Sequence, residues 1–179
     1  MTDLSALEIL EKLVSFPTVS DRSNLELIDW VESYFNSLQI QTYRKYNEDN
    51  TKASLFAHVG PQIEGGVVLS GHTDVVPVEG QDWNTDPWTL TEKNNKLYGR
   101  GSCDMKGFDA LAIWAMIKAK KENVKRPLQI ALSYDEEVGC IGAPPMIDEM
   151  IKKLPKASMV IVGEPSTMLA VTGHKGALG

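Results

Sequence analysis

Four segments place a histidine and several acids directly after short apolar runs. Gly71-His72-Thr73-Asp74 follows GVVLS, and Asp135-Glu136-Glu137-Val138-Gly139 follows LQIALSY. Gly163-Glu164-Pro165-Ser166 follows MVIV, and YGRGSCDMKG sets Asp104 just ahead of a helical pattern. Taken singly, each has an ordinary explanation. A histidine after a strand is usually a hydrogen-bonded or surface residue, an aspartate before a helix is usually a cap, and acids in loops are usually solvated. Taken together they require a common cause, because carboxylates brought to one place repel unless a cation joins them. Imidazole and carboxylate donors suit zinc or its first-row neighbours. Asp74, two residues beyond His72, is placed to accept the other ring N–H and fix the tautomer.

The elements that carry these segments follow from periodicity. Residues 4–15 and 24–38 read as amphipathic helices, the first stopped by Pro17 and the second capped near Ser23. Strands are expected at 41–46, 53–59 and 66–70, the last of them buried on both faces. Residues 90–93 and 96–98 flank Asn94-Asn95 as a hairpin. A helix over 105–120 should turn Ala110, Leu111, Trp114 and Ile117 inward. A buried strand at 128–133, a helix at 143–153 with Pro144 and Pro145 in its first turn, and strands at 159–162 and 168–172 complete the order. Strands alternating with helices predict an α/β fold: a three-layer sandwich with a largely parallel mixed sheet flanked by helices, here incomplete. Ligands in such sheets bind beyond the carboxyl ends of the strands. His72, Asp104, Glu136, Glu137 and Glu164 all fall at that edge.

Composition narrows the classes further. The chain has 179 residues, 42% hydrophobic and 23% charged, enough for a domain with a real core. A net charge of −6 argues against a nucleic-acid surface. The two cysteines, Cys103 and Cys140, form no CxxC, so neither a zinc knuckle nor a disulfide framework is expected. There is no leader-like N-terminus and no apolar run of membrane-spanning length, so a cytoplasmic protein without a membrane partner is expected. Nucleotide-binding motifs fail as well: after Gly99 and Gly101, position 104 is Asp104 where a third glycine would be needed, and neither a GxxxxGK[ST] nor a GxSxG motif occurs.

SGHTDVVP, YGRGSCDMKG, DEEVG and GEPS, in that order, resemble the co-catalytic zinc peptidase and deacetylase family over essentially the whole chain. The family includes acetylornithine deacetylases, succinyl-diaminopimelate desuccinylases, aminoacylases and glutamate carboxypeptidases. The resemblance implies that His72 and Glu164 bind one zinc, Glu137 a second, and that Asp104 bridges the two. It implies that Glu136 is the general base, that Asp74 supports His72, and that the Asp104–Met105 peptide is cis. SGHTDVVPVEGQDW and GRGSCDMKGF, with Cys103 and Phe108, are most similar to the acetylornithine deacetylase branch. The expectation is therefore a deacetylase of N-acetyl-L-ornithine in arginine biosynthesis, acting on small N-acyl amino acids. It would carry two Zn2+ per intact enzyme, with Co2+ as a substitute, and would be a homodimer at full length. A desuccinylase, aminoacylase or dipeptidase, or a non-catalytic binding or assembly module, are the alternatives.

The family pattern also needs a later histidine for the second zinc. His58 sits within an expected strand and is read as structural, and His174 does not match the missing ligand. Residues 1–171 are thus expected to be the N-terminal part of the catalytic domain and 172–179 the start of a lid and dimerisation domain. A chain cut there is expected to bind one metal weakly and to be nearly inactive.

Overall fold

The computed structural model describes residues 3–173. Helix α1 (Ala6–Val14) starts at Ser5, whose hydroxyl accepts from the Glu8 N–H at 3.2 Å while the Glu8 carboxylate accepts from the Ser5 N–H at 2.7 Å. This reciprocal pair satisfies two donors that the first turn leaves free. Helix α2 (Leu25–Ser37) follows Asn24, which makes no side-chain bond to the helix, while Ser23 Oγ accepts from the Leu25 N–H at 3.2 Å, in keeping with a cap near Ser23. The Asn24 amide is used elsewhere: Oδ1 accepts from the Ala53 N–H at 3.0 Å, and Nδ2 donates to Ala53 O at 2.8 Å and to Thr73 Oγ1 at 2.9 Å. The start of α2 is thereby pinned to the residue after His72.

Next come β1 (Thr42–Tyr46), β2 (Ala53–Val59) and β3 (Gly66–His72), then the hairpin β4 (Thr91–Lys93) and β5 (Lys96–Tyr98). Asn94 and Asn95 turn the hairpin with φ of 54° and 57°, the left-handed pair that a two-residue hairpin favours. Helix α3 (Lys106–Glu122), β6 (Leu128–Ser133), α4 (Ala143–Lys153) and β7 (Ala157–Val162) complete the order.

Five strands form one mixed sheet in the order β1-β2-β6-β3-β7. β1 with β2 and β2 with β6 are antiparallel, whereas β3 runs parallel to both β6 and β7. Side-chain alternation divides the core. Leu55, Ala57, Ile130 and Leu132 meet α1, α2 and α3 on one face, and Phe56, Val68 and Ala131 meet Met146 and Met150 of α4 on the other. Helices on both faces make three layers. The parallel strands β3, β6 and β7 end at one edge, and those ends carry the acids and His72.

Two expectations are corrected. On α3, Ala110, Ile113, Met116 and Ile117 are buried, whereas Leu111 is 55% and Trp114 37% exposed. Apolar residues lie on more than one side of this helix, so spacing alone did not select the buried stripe, and the Lys118 ammonium sits 5.3 Å from the Trp114 ring centre. The strand expected at 159–162 is present as β7; among the described residues it pairs with β3 alone and leaves Met159, Val160, Ile161 and Val162 between 44% and 59% exposed. Residues 168–172 are not a strand: Thr167 and Met168 have φ of 52° and 61°, left-handed values that break an extended run. Of the expected segment at 172–179, only 172 and 173 lie within the described residues.

Candidate metal centre

The site begins with the last residue of β3. His72 is 1% exposed, and its Nδ1 lies 2.9 Å from the main-chain oxygen of Asp74. A carbonyl can only accept, so Nδ1 carries the proton and Nε2 faces the acids. The sequence expectation placed the Asp74 carboxylate in this role, but its Oδ1 is 3.5 Å from the ring nitrogen. The carboxylate is engaged instead by Ser20 Oγ at 2.6 Å and by the backbone N–H groups of Glu136 and Glu137 at 3.1 and 3.3 Å. Asp74 thus supports His72 through its backbone and the acid pair through its side chain.

Around His72 Nε2 stand Asp104 Oδ1 at 3.2 Å, Glu164 Oε1 at 3.7 Å and Glu136 Oε2 at 3.8 Å. These residues come from the turn before α3, the end of β7 and the turn after β6, so three separate connections converge on one ring. The Asp104–Met105 peptide is cis, as the family resemblance implied.

Two groups of ligand atoms lie within 4.8 Å of one another: His72 with Glu136 and Glu164, and His72 with Asp104 and Glu137. All five expected residues are therefore brought together. His72 belongs to both groups, and Glu136 as well as Asp104, Glu137 and Glu164 lies within reach of it. One imidazole and several carboxylates at this spacing fit a small divalent cation. His58 is far from this edge. Its neighbour Val59 pairs with Leu128, the first residue of β6, and its Nε2 lies 3.2 Å from Pro61 O. His174 lies outside the described residues.

Protonation equilibria record the crowding. Burial pulls the His72 ring down, but Asp74, Asp109 and Glu164 outweigh it and hold its pKa at about 10. Burial, then the charge of Asp104, pushes Glu137 up; burial, with Asp104 and Glu136, does the same to Glu164 against the pull of His72. Each shift makes the folded, metal-free chain hold protons that the unfolded chain gives up. Stability from His72 is complete below its ordinary value near 6.5 and is lost as pH rises through about 10. The raised Glu137 and Glu164 act in the same direction above the ordinary carboxylate range. Asp74 acts oppositely, being held low although burial alone would raise it, so its stabilisation is lost only as the solution becomes strongly acidic. Lys106, whose pKa burial lowers to about 7, opposes the loss from His72, Glu137 and Glu164 above pH 7. In EDTA, the midpoint of thermal unfolding followed by circular dichroism is therefore expected to fall between pH 5 and pH 7, and zinc should lessen that fall. A midpoint that climbs over this range would contradict the electrostatic account.

Sequence reasoning missed four residues of this region. Ser20 and Lys52 sit behind the acids and carry no motif. Lys106 and Asp109 lie beneath them, fully or almost fully buried. Lys106 Nζ donates to Phe16 O at 2.7 Å, and burial lowers its pKa to about 7. Burial raises Asp109 well above the carboxylate range, and its Oδ1 has no hydrogen-bond partner. That oxygen lies where a Cβ on Gly71 would come within 2.0 Å, so position 71 must be glycine while Asp109 keeps this pose. Residues 106, 109, 110, 113 and 117 share one helical stripe, but apolar residues on the other sides of α3 leave that stripe unmarked in the sequence.

Comparison with known proteins adds independent findings. The family model described as peptidase family M20/M25/M40 matches residues 68–174. An acetylornithine deacetylase of Buchnera aphidicola (subspecies from Schizaphis graminum) is 37% identical over 96% of this chain and 46% of its own length. One from Pasteurella multocida is 35% identical over 98% of this chain and 47% of its own length. The chain therefore spans about half the length of the curated relatives it matches. Among solved structures, an M20 family metallo-carboxypeptidase from Sulfolobus solfataricus superposes with a TM-score of 0.77 at 20% identity, over 90% of this chain and 37% of that one. A dinuclear metal binding peptidase of the M20 family from Bacillus subtilis gives a TM-score of 0.61 at 15% identity, over 88% of this chain and 41% of its own. At these identities the solved structures speak to fold alone.

Proposed function

The chain belongs to peptidase family M20/M25/M40, and from that premise we propose that it is the metal-binding part of an amide hydrolase that removes the acetyl group from N-acetyl-L-ornithine. The observation that carries the hydrolase reading is the convergence of Asp104, Glu136 and Glu164 on His72 Nε2 within 3.2–3.8 Å. The choice of substrate is supported by the 35–37% identity to acetylornithine deacetylases. A role in arginine biosynthesis, a cytoplasmic location and a homodimeric whole protein belong to the same reading. Among the described residues, no helix is long and apolar enough to cross a membrane.

In this reading His72, Asp104 and Glu164 hold one zinc, and Asp104 with Glu137 reaches a second; cobalt can replace zinc. Bound zinc supplies Lewis acidity, polarising the amide carbonyl and easing the ionisation of water. The protein residues do the rest. Nδ1–H of His72, held by the Asp74 carbonyl, keeps the Nε2 lone pair directed at the site. Asp74 also fixes the backbone at Glu136 and Glu137, which sets where the two carboxylates project. Glu136 takes the proton of the attacking water and returns it to the leaving amine.

The test is a substrate panel run on the chain itself and on the chain joined to the remaining half of a curated acetylornithine deacetylase, with zinc or cobalt added. The joined protein is expected to cleave N-acetylornithine with a kcat/KM at least tenfold above that for succinyl-diaminopimelate or dipeptides. Preference for one of those would transfer the assignment to a sister hydrolase. Absence of any amide hydrolysis with metal bound would favour a binding or assembly module.

A further inference from the structure

We propose that Ser20 and Lys52, neither of which reaches the metal-binding atoms, are positioning residues that hold the Glu136-Glu137 pair in register. The proposal rests on the metal-site reading above for its purpose, but not for its geometry. The Asp74 carboxylate is 2% exposed and spans the head of the acid pair, with Oδ1 accepting from the Glu136 N–H and Oδ2 from the Glu137 N–H. Two oxygens can meet two successive amides only if the carboxylate does not rotate. Ser20 Oγ supplies the restraint, donating to Oδ2 at 2.6 Å from the opposite side.

Lys52 closes the arrangement. Its Nζ donates to Ser20 O at 2.5 Å and to Asp135 Oδ1 at 2.6 Å, with both charged side chains largely withdrawn from water. Asp135 immediately precedes the acid pair and has a φ of 56°, a left-handed conformation that sets the direction of the turn and that aspartate tolerates better than most non-glycine residues. A charge-assisted bond in a half-dry setting is suited to hold it. Ser20 is itself well anchored. Its N–H donates to Val75 O at 3.2 Å, the Val75 N–H donates to Thr18 O at 3.0 Å, and Thr18 Oγ1 donates to Thr73 O at 2.6 Å. One ammonium therefore joins the strand-like segment beside His72 to the turn that presents Glu136 and Glu137. Lys52 lies 83 positions from Asp135 and 32 from Ser20.

An ion pair that only strengthened the fold would give a different signature. We would prepare Ser20→Ala, Lys52→Met and Lys52→Arg and follow amide hydrogen exchange in the metal-free chain by NMR. The first two are expected to speed exchange at Glu136 and Glu137 at least tenfold while β6 amides stay within twofold of the parent. Lys52→Arg should recover at least part of the protection. Zinc titrated by calorimetry should bind about 10–100-fold more weakly to Ser20→Ala and Lys52→Met, the range typical for residues that orient ligands. Exchange at Glu136 and Glu137 within twofold of the parent in a variant removes that residue from the proposal. Acceleration spread evenly through β6 overturns the proposal in favour of general stabilisation. If the parent takes up no zinc, the metal-site reading falls, while the exchange comparison still decides whether the two residues position the acids.

Discussion

Glu136→Gln, in the chain joined to the remaining half of a curated relative, is expected to lower kcat on N-acetylornithine about 10²–10⁴-fold while bound zinc stays unchanged. Glutamine keeps the size and one accepting oxygen of the side chain but cannot take a proton from water. The split between the two readouts matters because Glu136 Oε2 lies 3.8 Å from His72 Nε2 and belongs to a possible ligand group with Glu164. If Glu136 is the base, metal content measured by atomic emission is the same in parent and variant and only turnover falls. If it is a ligand, zinc and turnover fall together. A variant retaining activity within threefold would place the base elsewhere.

His72→Ala should weaken metal binding strongly. His72 is 1% exposed and is the sole nitrogen donor beside Asp104 and Glu164 in the proposed first site. A structural zinc site of four ligands is worth roughly 10–16 kcal/mol, so an average ligand carries about 2.5–4 kcal/mol, or about 10²–10³ in affinity. Isothermal titration of the chain with zinc should show that loss. The metal-free protein should suffer as well. The ring, held charged up to a pKa of about 10, offsets the charges of Asp74, Asp109 and Glu164, which would face one another in its absence. The variant should therefore unfold at a lower temperature than the parent at pH 7 in EDTA. Zinc affinity within threefold of the parent would remove His72 from the site.

Much of the frame was legible in the sequence because local rules and burial agree there. β2, β5, β6 and α4 fall at the expected residues, since alternation or a proline-marked first turn leaves few other choices. Convergence of His72, Asp104, Glu136, Glu137 and Glu164 was legible too, because parallel strands must end at one edge. Failures share a cause: they depend on what lies across from a residue. Leu111 and Trp114 suit a core as well as Ile113 does, and only the partners on β3, β6 and α1 select between them. MVIV reads as a strand but does not state its place in the sheet, and among the described residues β7 has a neighbour on one side only. Ser20, Lys52 and Asn24 matter through contacts 29 to 83 positions away, which no local pattern encodes. Asp74 is instructive for the opposite reason. Its spacing from His72 suggests a carboxylate partner; the main-chain oxygen of Asp74 lies nearer the ring, and the carboxylate serves both as a counter-charge to His72 and as acceptor for the acid pair.

Among the described residues, β7 leaves one flank of the sheet without a paired strand. Ala157–Val162 carries six residues without a charge or a proline, the features by which edge strands ordinarily repel one another. Any extended segment that reaches this ribbon finds unclaimed backbone donors and acceptors and a greasy border.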